Sequence, residues 1–462
     1  MKTGILYPLI LISLFLGLQS CIEDGFDTSP SAQPVFSVDT LDMGWTFTGQ
    51  STPTHRFTVH NRNSKLINIS SIRLADETMN GMFRFNVDGF SGREFTDVEI
   101  RPNDSIYVFV EATLEPNATP ALTDVTARLN FLTNGVESSV ILLARGQNVE
   151  RRSAYTVTSD EVWDATLPWQ IFDSLTVAPG ATLTLRPGVS MHFHDGAKMK
   201  VYGSLVTEGT PEAPVTFGGD RTYNVVGDIP FDLMASQWLG LKFCADSRGN
   251  RLSHTVIKNT VAGVQADDGS EVTMLNCRLR NSSTVPLSTR NADITLIGTE
   301  VAEGSAGLFE MEGGNITANH CTFANYYLFT AISGAALKFI HTEEGDLLPG
   351  LKADFTNCII YGLGGDLSEG DLTGTGVTLR NCVLKSEGSD DDNFINCIWD
   401  TDPVYATVRS DYYFDYRLKS ESPVIGAADP SLTLPEASED FYGTPRLPAP
   451  SPGAYQAIYE EE

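Results

Sequence analysis

The residues best suited to acid–base or anion chemistry lie between His254 and His320. His254, Lys258, Asn276, Arg278, Arg280, Glu300 and His320 stand at positions related by intervals of 22. On stacked strands that interval would bring them onto one outward face, close enough to touch. Such a lattice is a basic cluster on an acidic chain. It could hold an anionic sugar, with Lys258 or an arginine near a carboxylate and His254 or His320 carrying protons. Binding candidates are Arg278, Arg280, Glu300 and Asn276; catalytic candidates are Lys258, Arg278, His254 and His320. The competing reading is a solvated sheet face with a cross-strand Arg278–Glu300 pair contributing little stability.

Other chemistry is poorly supported. Glycoside hydrolysis needs two carboxylates across one cleft, and the equivalents of Glu300 one coil away are Arg278 and Thr322. His192 and His194 share a strand face without an identifiable third ligand, so no metal site is predicted and exposed strand residues are expected. Asp267-Asp268 and Asp390-Asp391-Asp392 leave room for a surface calcium, but no EF-hand pattern exists and no cofactor is expected. A CxxC pair, GxSxG elbow, P-loop and HExxH are all missing. Trp238, Tyr326 and Tyr327 could stack on sugars, whereas Trp163 and Trp169 read as packing under an N-terminal cap.

These residues need a scaffold that repeats every 22 residues. Leu175 to Leu185 alternates apolar and polar positions around Pro179-Gly180, and Val201–Leu205 and Ala213–Phe217 follow the same logic. Thr255, Cys277, Thr299 and Cys321 recur every 22 residues, each followed two positions later by Ile257, Leu279, Val301 or Phe323. Val272, Ile294 and Ile316 keep the same interval. Asn259, Asn281 and Asn325 mark a turn, with Glu303 breaking that series. Strands this short cannot bury a face alone, but stacked coils can. An echo continues at Asn357-Cys358, Asn381-Cys382 and Asn396-Cys397, where spacings of 37, 24 and 15 imply insertions or a truncated coil. Segments 343–351 and 364–375 read as loops leaving the stack. Cys277 and Cys321 fall two coils apart, about 10 Å, beyond disulfide reach. The cysteines are therefore expected to be mostly free, buried thiols.

From about Thr156 onward these patterns resemble the bacterial right-handed parallel β-helix repeat proteins of the pectin-lyase-like superfamily. The ending Ser422–Ala427, Tyr442–Arg446 and Pro452–Tyr455 resembles the terminal cap of that group. The resemblance implies fold rather than activity, because its members include lyases, hydrolases and adhesins. The paired aspartates and His-Gly dipeptide of polygalacturonases are missing here.

Ahead of the repeat, residues 35–149 carry about seven short alternating strands with turns such as Arg101–Asp104 and Thr133–Gly135. That favours an immunoglobulin-like sandwich without its disulfide. Residues 1–20 read as a signal peptide whose apolar run, Ile5 to Leu18, is too short to span a membrane. Leu18-Gln19-Ser20-Cys21 resembles the lipobox of bacterial lipoproteins, which implies acylation of Cys21. Residues 21–34 are expected to be a flexible tether, 150–400 the β-helix and 401–462 a C-terminal cap and tail. A formal charge of −28 argues against nucleic acid as a partner. The expected protein is all-β: an Ig-like sandwich, then a right-handed parallel β-helix of about 22 residues per coil. It would be an outer-membrane lipoprotein of a Gram-negative bacterium, facing the surface or the periplasm. Its β-helix would bind polysaccharide or a surface protein without catalysis. The alternatives are a lyase or hydrolase acting on an acidic polysaccharide, and a structural adhesin or assembly component.

Overall fold

The computed structural model describes residues 25–457, apart from 228, 341, 344–345, 348–349 and 370–371. The signal peptide and Cys21 lie outside the described residues. The chain divides into two compact units between Asn148 and Val149.

The first unit holds two sheets over one core. One sheet orders its strands 35–36, 55–60, 105–112, 83–87 and 90–92; the other orders 40–47, 136–147, 123–133 and 67–74, with 94–95 and 98–100 at its edge. Alternation explains the pairing: in Ser105–Ala112 every second side chain is buried, as a sheet with one wet face requires. Phe57, Ile69, Ile72, Phe85, Val108, Phe131 and Leu142 form part of that core. The expectation of a free tether through residue 34 needs correcting. Phe26 bridges to Leu66, Ala32 is buried, and Asn134 Nδ2 donates to the carbonyls of Asp27, Ser29 and Ala32 at 2.8–3.0 Å.

The second unit is a parallel β-helix. Its coils contribute one strand each to a ten-stranded parallel sheet and two to an eighteen-stranded one. The 22-residue interval is the stacking register: Val272 lies beside Ile294 and Ile294 beside Ile316, and Leu279 beside Val301 beside Phe323. These side chains, with Thr255, Cys277, Thr299 and Cys321, are all buried. Where the spacing changes the register survives. Thr322 pairs with Ile359, Ile359 with Val383, and Val383 with Ile398. The long step accommodates residues 326–336 and a small antiparallel hairpin of Thr342–Glu343 with Asp346–Leu347. The short final step joins Val383–Leu384 to Phe394–Ile395 without an intervening strand. Segment 364–375 is not wholly a loop, because Ser368–Glu369 pairs in parallel with Leu337–Lys338.

Between the two sheets the chain bends sharply at a column of left-handed residues: His254, Asn276, Gly298, His320, Asn357, Asn381 and Asn396, with φ between 42° and 58°. Asparagine tolerates this region and glycine occupies it freely, which explains the recurring Asn-Cys pairs. The residue that follows each bend is a cysteine or, at Thr255 and Thr299, a threonine, and it turns inward. All six described cysteines are free, five of them buried.

The C-terminal segment is not an end cap. Residues 401–457 lie along the side of the stack as a strap, and a second apolar core forms beneath it. Ala302, Ala324, Ile359 and Val383 from the outward face of the coils pack there with Tyr405, Tyr416, Leu418, Phe441 and Tyr455 of the strap.

Candidate functional site

The strap decides the fate of the outward lattice. Positions 254, 256, 258, 278, 280 and 300 do point away from the helix interior, but most of them meet protein rather than water. Arg278 and Glu300 are register partners, yet Glu300 is fully buried and pairs with Arg280. Arg280 Nε donates to Glu300 Oε1, and Nη2 to Oε2 at 2.7 Å. Tyr455 Oη donates to the same carboxylate at 2.6 Å and accepts from Arg278 Nε at 2.7 Å. The Arg278 guanidinium lies 3.7 Å from the Phe441 ring centre, 4.9 Å from that of Tyr442 and 5.2 Å from that of Tyr455. The solvated face is therefore corrected to a buried ion pair inside a tyrosine-rich cover.

The flanking residues serve the same contact. His320 is buried, with Nδ1 3.1 Å from the Ser451 carbonyl and Nε2 2.9 Å from Thr433 Oγ1. Burial and the nearby Arg446 charge push its pKa down to about 3, so a proton-carrying role near neutrality does not fit it. His254 packs its ring against Phe441 at 5.6 Å and is held below the ordinary histidine range by burial. Asn276 is buried, with Nδ2 3.5 Å from His254 Nε2. Lys258 stands at the margin, paired with Asp232 at 2.6 Å.

Beside this cover a cleft of about 330 Å³ remains. It is lined by Asp232 and Leu233, by Val256, Lys258, Arg278, Arg280 and Glu303 on successive coils, by Tyr327–Phe329, and by Phe414 of the strap. Glu303 adopts φ 53° where the turn series expects asparagine, and Tyr416 Oη donates to its carboxylate. Burial, reinforced by the Glu300 charge and opposed by Arg280, pushes the Glu303 pKa up to about 7. Burial would also raise Glu300, but Arg280, then Arg278 and Tyr455, outweigh it and hold that carboxyl below its ordinary range. Two neighbouring carboxyls thus keep different protonation states. Sequence reasoning singled out the break at Glu303 but gave it no role. The strap tyrosine that meets it lies 113 positions away.

A second recess has no strap residue in its lining. Lys242, Gln265, Ser288, Glu310, Lys338 and Glu369 stand in continuous register on adjacent coils. They line two cavities, of about 480 and 260 Å³, that share Gln265, Ser288 and Glu310. Lys338 reaches Glu310 at 3.4 Å and Glu369 at 4.0 Å, and Lys242 reaches Asp267 at 2.8 Å. The result is an open polar trough along the stack. Its period was legible, but no sequence signal distinguished this strip as the uncovered one.

Other singled-out residues have structural partners. His192 lies between Ser190 Oγ at 2.8 Å and the Gly219 carbonyl at 3.2 Å, and burial lowers its pKa, which corrects the expectation that it is exposed. His194 binds the buried Asp220 at 2.8 Å. Asp268 pairs with Arg290 at 2.7 Å, and Asp390 accepts from the backbone of Asn396 and Cys397. Among the described residues no group of three or more His, Cys, Asp or Glu could hold a metal ion. Trp163 stacks on Trp169 at 3.9 Å and Trp238 on Phe193 at 4.1 Å; Trp238, Tyr326 and Tyr327 are buried and offer no sugar platform. In the first unit a groove of about 710 Å³ between strands 83–87, 90–92 and 105–112 is lined by Arg84, Arg93 and Glu111 among others. Nothing in the sequence marked it.

No protein-family model and no curated protein matches this chain. One solved structure similar in part is a family 123 glycoside hydrolase from Clostridium perfringens, described for glycolipid glycan hydrolysis. The likeness has 11% identity, covers 27% of this chain and 26% of that one, and has a TM-score of 0.18. At that level it carries no argument about fold or activity. No helix among the described residues is long and apolar enough to cross a membrane.

Proposed function

We propose that this protein is a surface-anchored lipoprotein whose β-helix binds glycan without turning it over. The observation that carries the reading is the trough. The strap takes up most of the lattice that sequence spacing marked for catalysis, while the Lys242–Glu369 strip stays open to solvent. Its side chains alternate donors and acceptors over successive coils, as a ligand rich in hydroxyl groups requires. The strip lacks a large apolar patch of the kind that marks a protein interface. In this reading acylated Cys21 holds the chain to the outer membrane, and the first unit is an Ig-like spacer.

The test is a glycan array probed with the full mature chain, followed by titration calorimetry on any hit. Binding should be lost in Ser288→Trp, which fills the trough at its middle coil, and kept in variants of the first unit. Failure of all glycans to bind, or equal binding by Ser288→Trp, overturns the reading. Release of unsaturated sugars or new reducing ends would favour an enzyme instead. Cys21→Ala should move the protein from the membrane fraction to the soluble one; unchanged fractionation removes the anchor.

A further inference from the structure

The cleft beside the strap has no part in the trough reading, and its chemistry is different. Its walls are mainly apolar: Leu233, Val256, Leu328, Phe329 and Phe414 line it. Its floor is cationic. Arg280 spends Nε and Nη2 on Glu300, and no described residue accepts from its Nη1. Arg278 spends only Nε, on Tyr455; its two terminal nitrogens have no described acceptor and are not among the sealed, unpaired atoms. Arg280 keeps 22% of its side chain accessible while Glu300 keeps none. Both arginines line the recess, and guanidinium donors left without a described acceptor suit a planar anion that accepts in a forked geometry. A volume of 330 Å³ lies at the small end of ligand sites, which run from about 300 to 1,000 Å³.

We infer that this cleft binds a small organic acid, its carboxylate on the free donors of Arg278 and Arg280 and its apolar body against Phe329, Phe414 and Leu233. An inorganic anion would leave the apolar walls wet, and a polyhydroxylated sugar acid would leave its hydroxyl groups facing them. The charges around the ligand are Arg278, Arg280, Lys258, Asp232, Glu300 and Glu303; the titratable hydroxyls beside them are Tyr416, which donates to Glu303, and Tyr327, which lines the cleft. Lys258 and Asp232 compensate one another at 2.6 Å, as Arg280 and Glu300 do. The protonation state of Glu303 then sets the sign of the site. With its proton, the cleft carries the surplus charge of Arg278 and attracts an anion. Without it, the surplus vanishes. Carboxylate binding should therefore weaken as pH rises through about 7 and level off above.

The experiment titrates the full mature chain with phenylacetate, glucuronate and inorganic phosphate at pH 6 and pH 8. Phenylacetate should bind at one site per chain, more tightly at the lower pH, and displace neither of the others. Glu303→Gln should keep binding and lose its pH dependence, a result that a merely structural role would not give. Arg278→Gln should weaken binding by about ten-fold or more, the scale of losing one charge-assisted contact. Should that variant unfold, Phe329→Ala and Leu233→Trp supply the test, because Phe329 is exposed and Leu233 is a half-buried residue at the end of a short 3-10 helix. Absence of phenylacetate binding, its displacement by glucuronate or phosphate, or wild-type affinity in Leu233→Trp overturns the inference. Ser288→Trp leaves this cleft untouched, so failure here is separable from failure of the trough.

Discussion

Tyr455 Oη lies 2.6 Å from Glu300 Oε2, joining residues 155 positions apart. A carboxylate near the middle of the β-helix is thereby capped from the chain's last described stretch. Buried ion pairs rarely add much net stability, since desolvation offsets attraction, but breaking one partner is costly. Through Tyr455 the Arg280–Glu300 pair ties the strap to the coils. The same arrangement recurs with backbone partners. Buried Arg446 donates to the carbonyls of Gly453 at 3.1 Å and Ala454 at 2.6 Å, and Asp440 accepts from Tyr442, Thr444 and Gln456.

Removing the tyrosine hydroxyl should be milder than removing the arginine. Tyr455→Phe should cost about 1.5–3 kcal/mol, the scale of one hydrogen bond to a charged group. Arg280→Ala should cost about 3–5 kcal/mol, because it strands a buried carboxylate. Urea denaturation of both variants, followed by circular dichroism, measures the difference; equal losses would refute the ranking.

The strap should be essential to a soluble β-helix. Ending the chain at Asp400 uncovers Ala302, Ala324, Ile359 and Val383, and a hydrophobic dye should then bind strongly or the protein aggregate. A subtler lesion is Gly453→Ala. Gly453 has φ +85°, and an added Cβ would fall 2.6 Å from Thr322 Oγ1 and 2.8 Å from Ile359 Cδ1. A loss of about 1–3 kcal/mol is expected from strain at such a position, read as a lowered melting temperature.

Two buried groups should oppose each other in pH titration. Glu303 has a folded pKa raised to about 7, so the folded state holds a proton that the unfolded chain has released. Its contribution is full below the unfolded carboxyl value of about 4.3 and is lost as pH climbs to about 7. His320 has a folded pKa depressed to about 3, so its contribution is present above about 6.5 and is lost as pH falls toward 3. Between about pH 4.5 and 6.5 the two slopes cancel. Glu303→Gln should unmask a stability that rises with pH across that window; an unchanged profile would contradict the assignment.

The inward thiols should be inert in the native state. Burial pushes Cys277 up to about 12 and raises Cys321 and Cys358 well above the ordinary range, which removes the reactive thiolate. Alkylation of the folded mature chain should be slow, begin at the half-buried Cys397, and reach the rest only on unfolding. Rapid modification of Cys277 in folded protein would show that the coils open locally.

Sequence alone determined the stack. A period of 22 in size and polarity, with Thr255, Cys277, Thr299 and Cys321 in one column, leaves few ways to bury every apolar residue, because a coil's hydrophobic face can close only on the next coil. The left-handed bends were equally local, written in Asn276, Asn357 and Asn381. What the period could not reveal was which outward face would meet water. The repeat treats all outward positions alike, and the segment that covers one of them has no repeat of its own. Tyr416 and Tyr455 reach the lattice only through contacts more than 100 positions long in sequence, so their partners depend on how the finished chain folds back. Hence the lattice of Arg278, Arg280 and Glu300 was placed on the right face and given the wrong surroundings. The uncovered trough and the cleft beside Glu303 are consequences of tertiary structure.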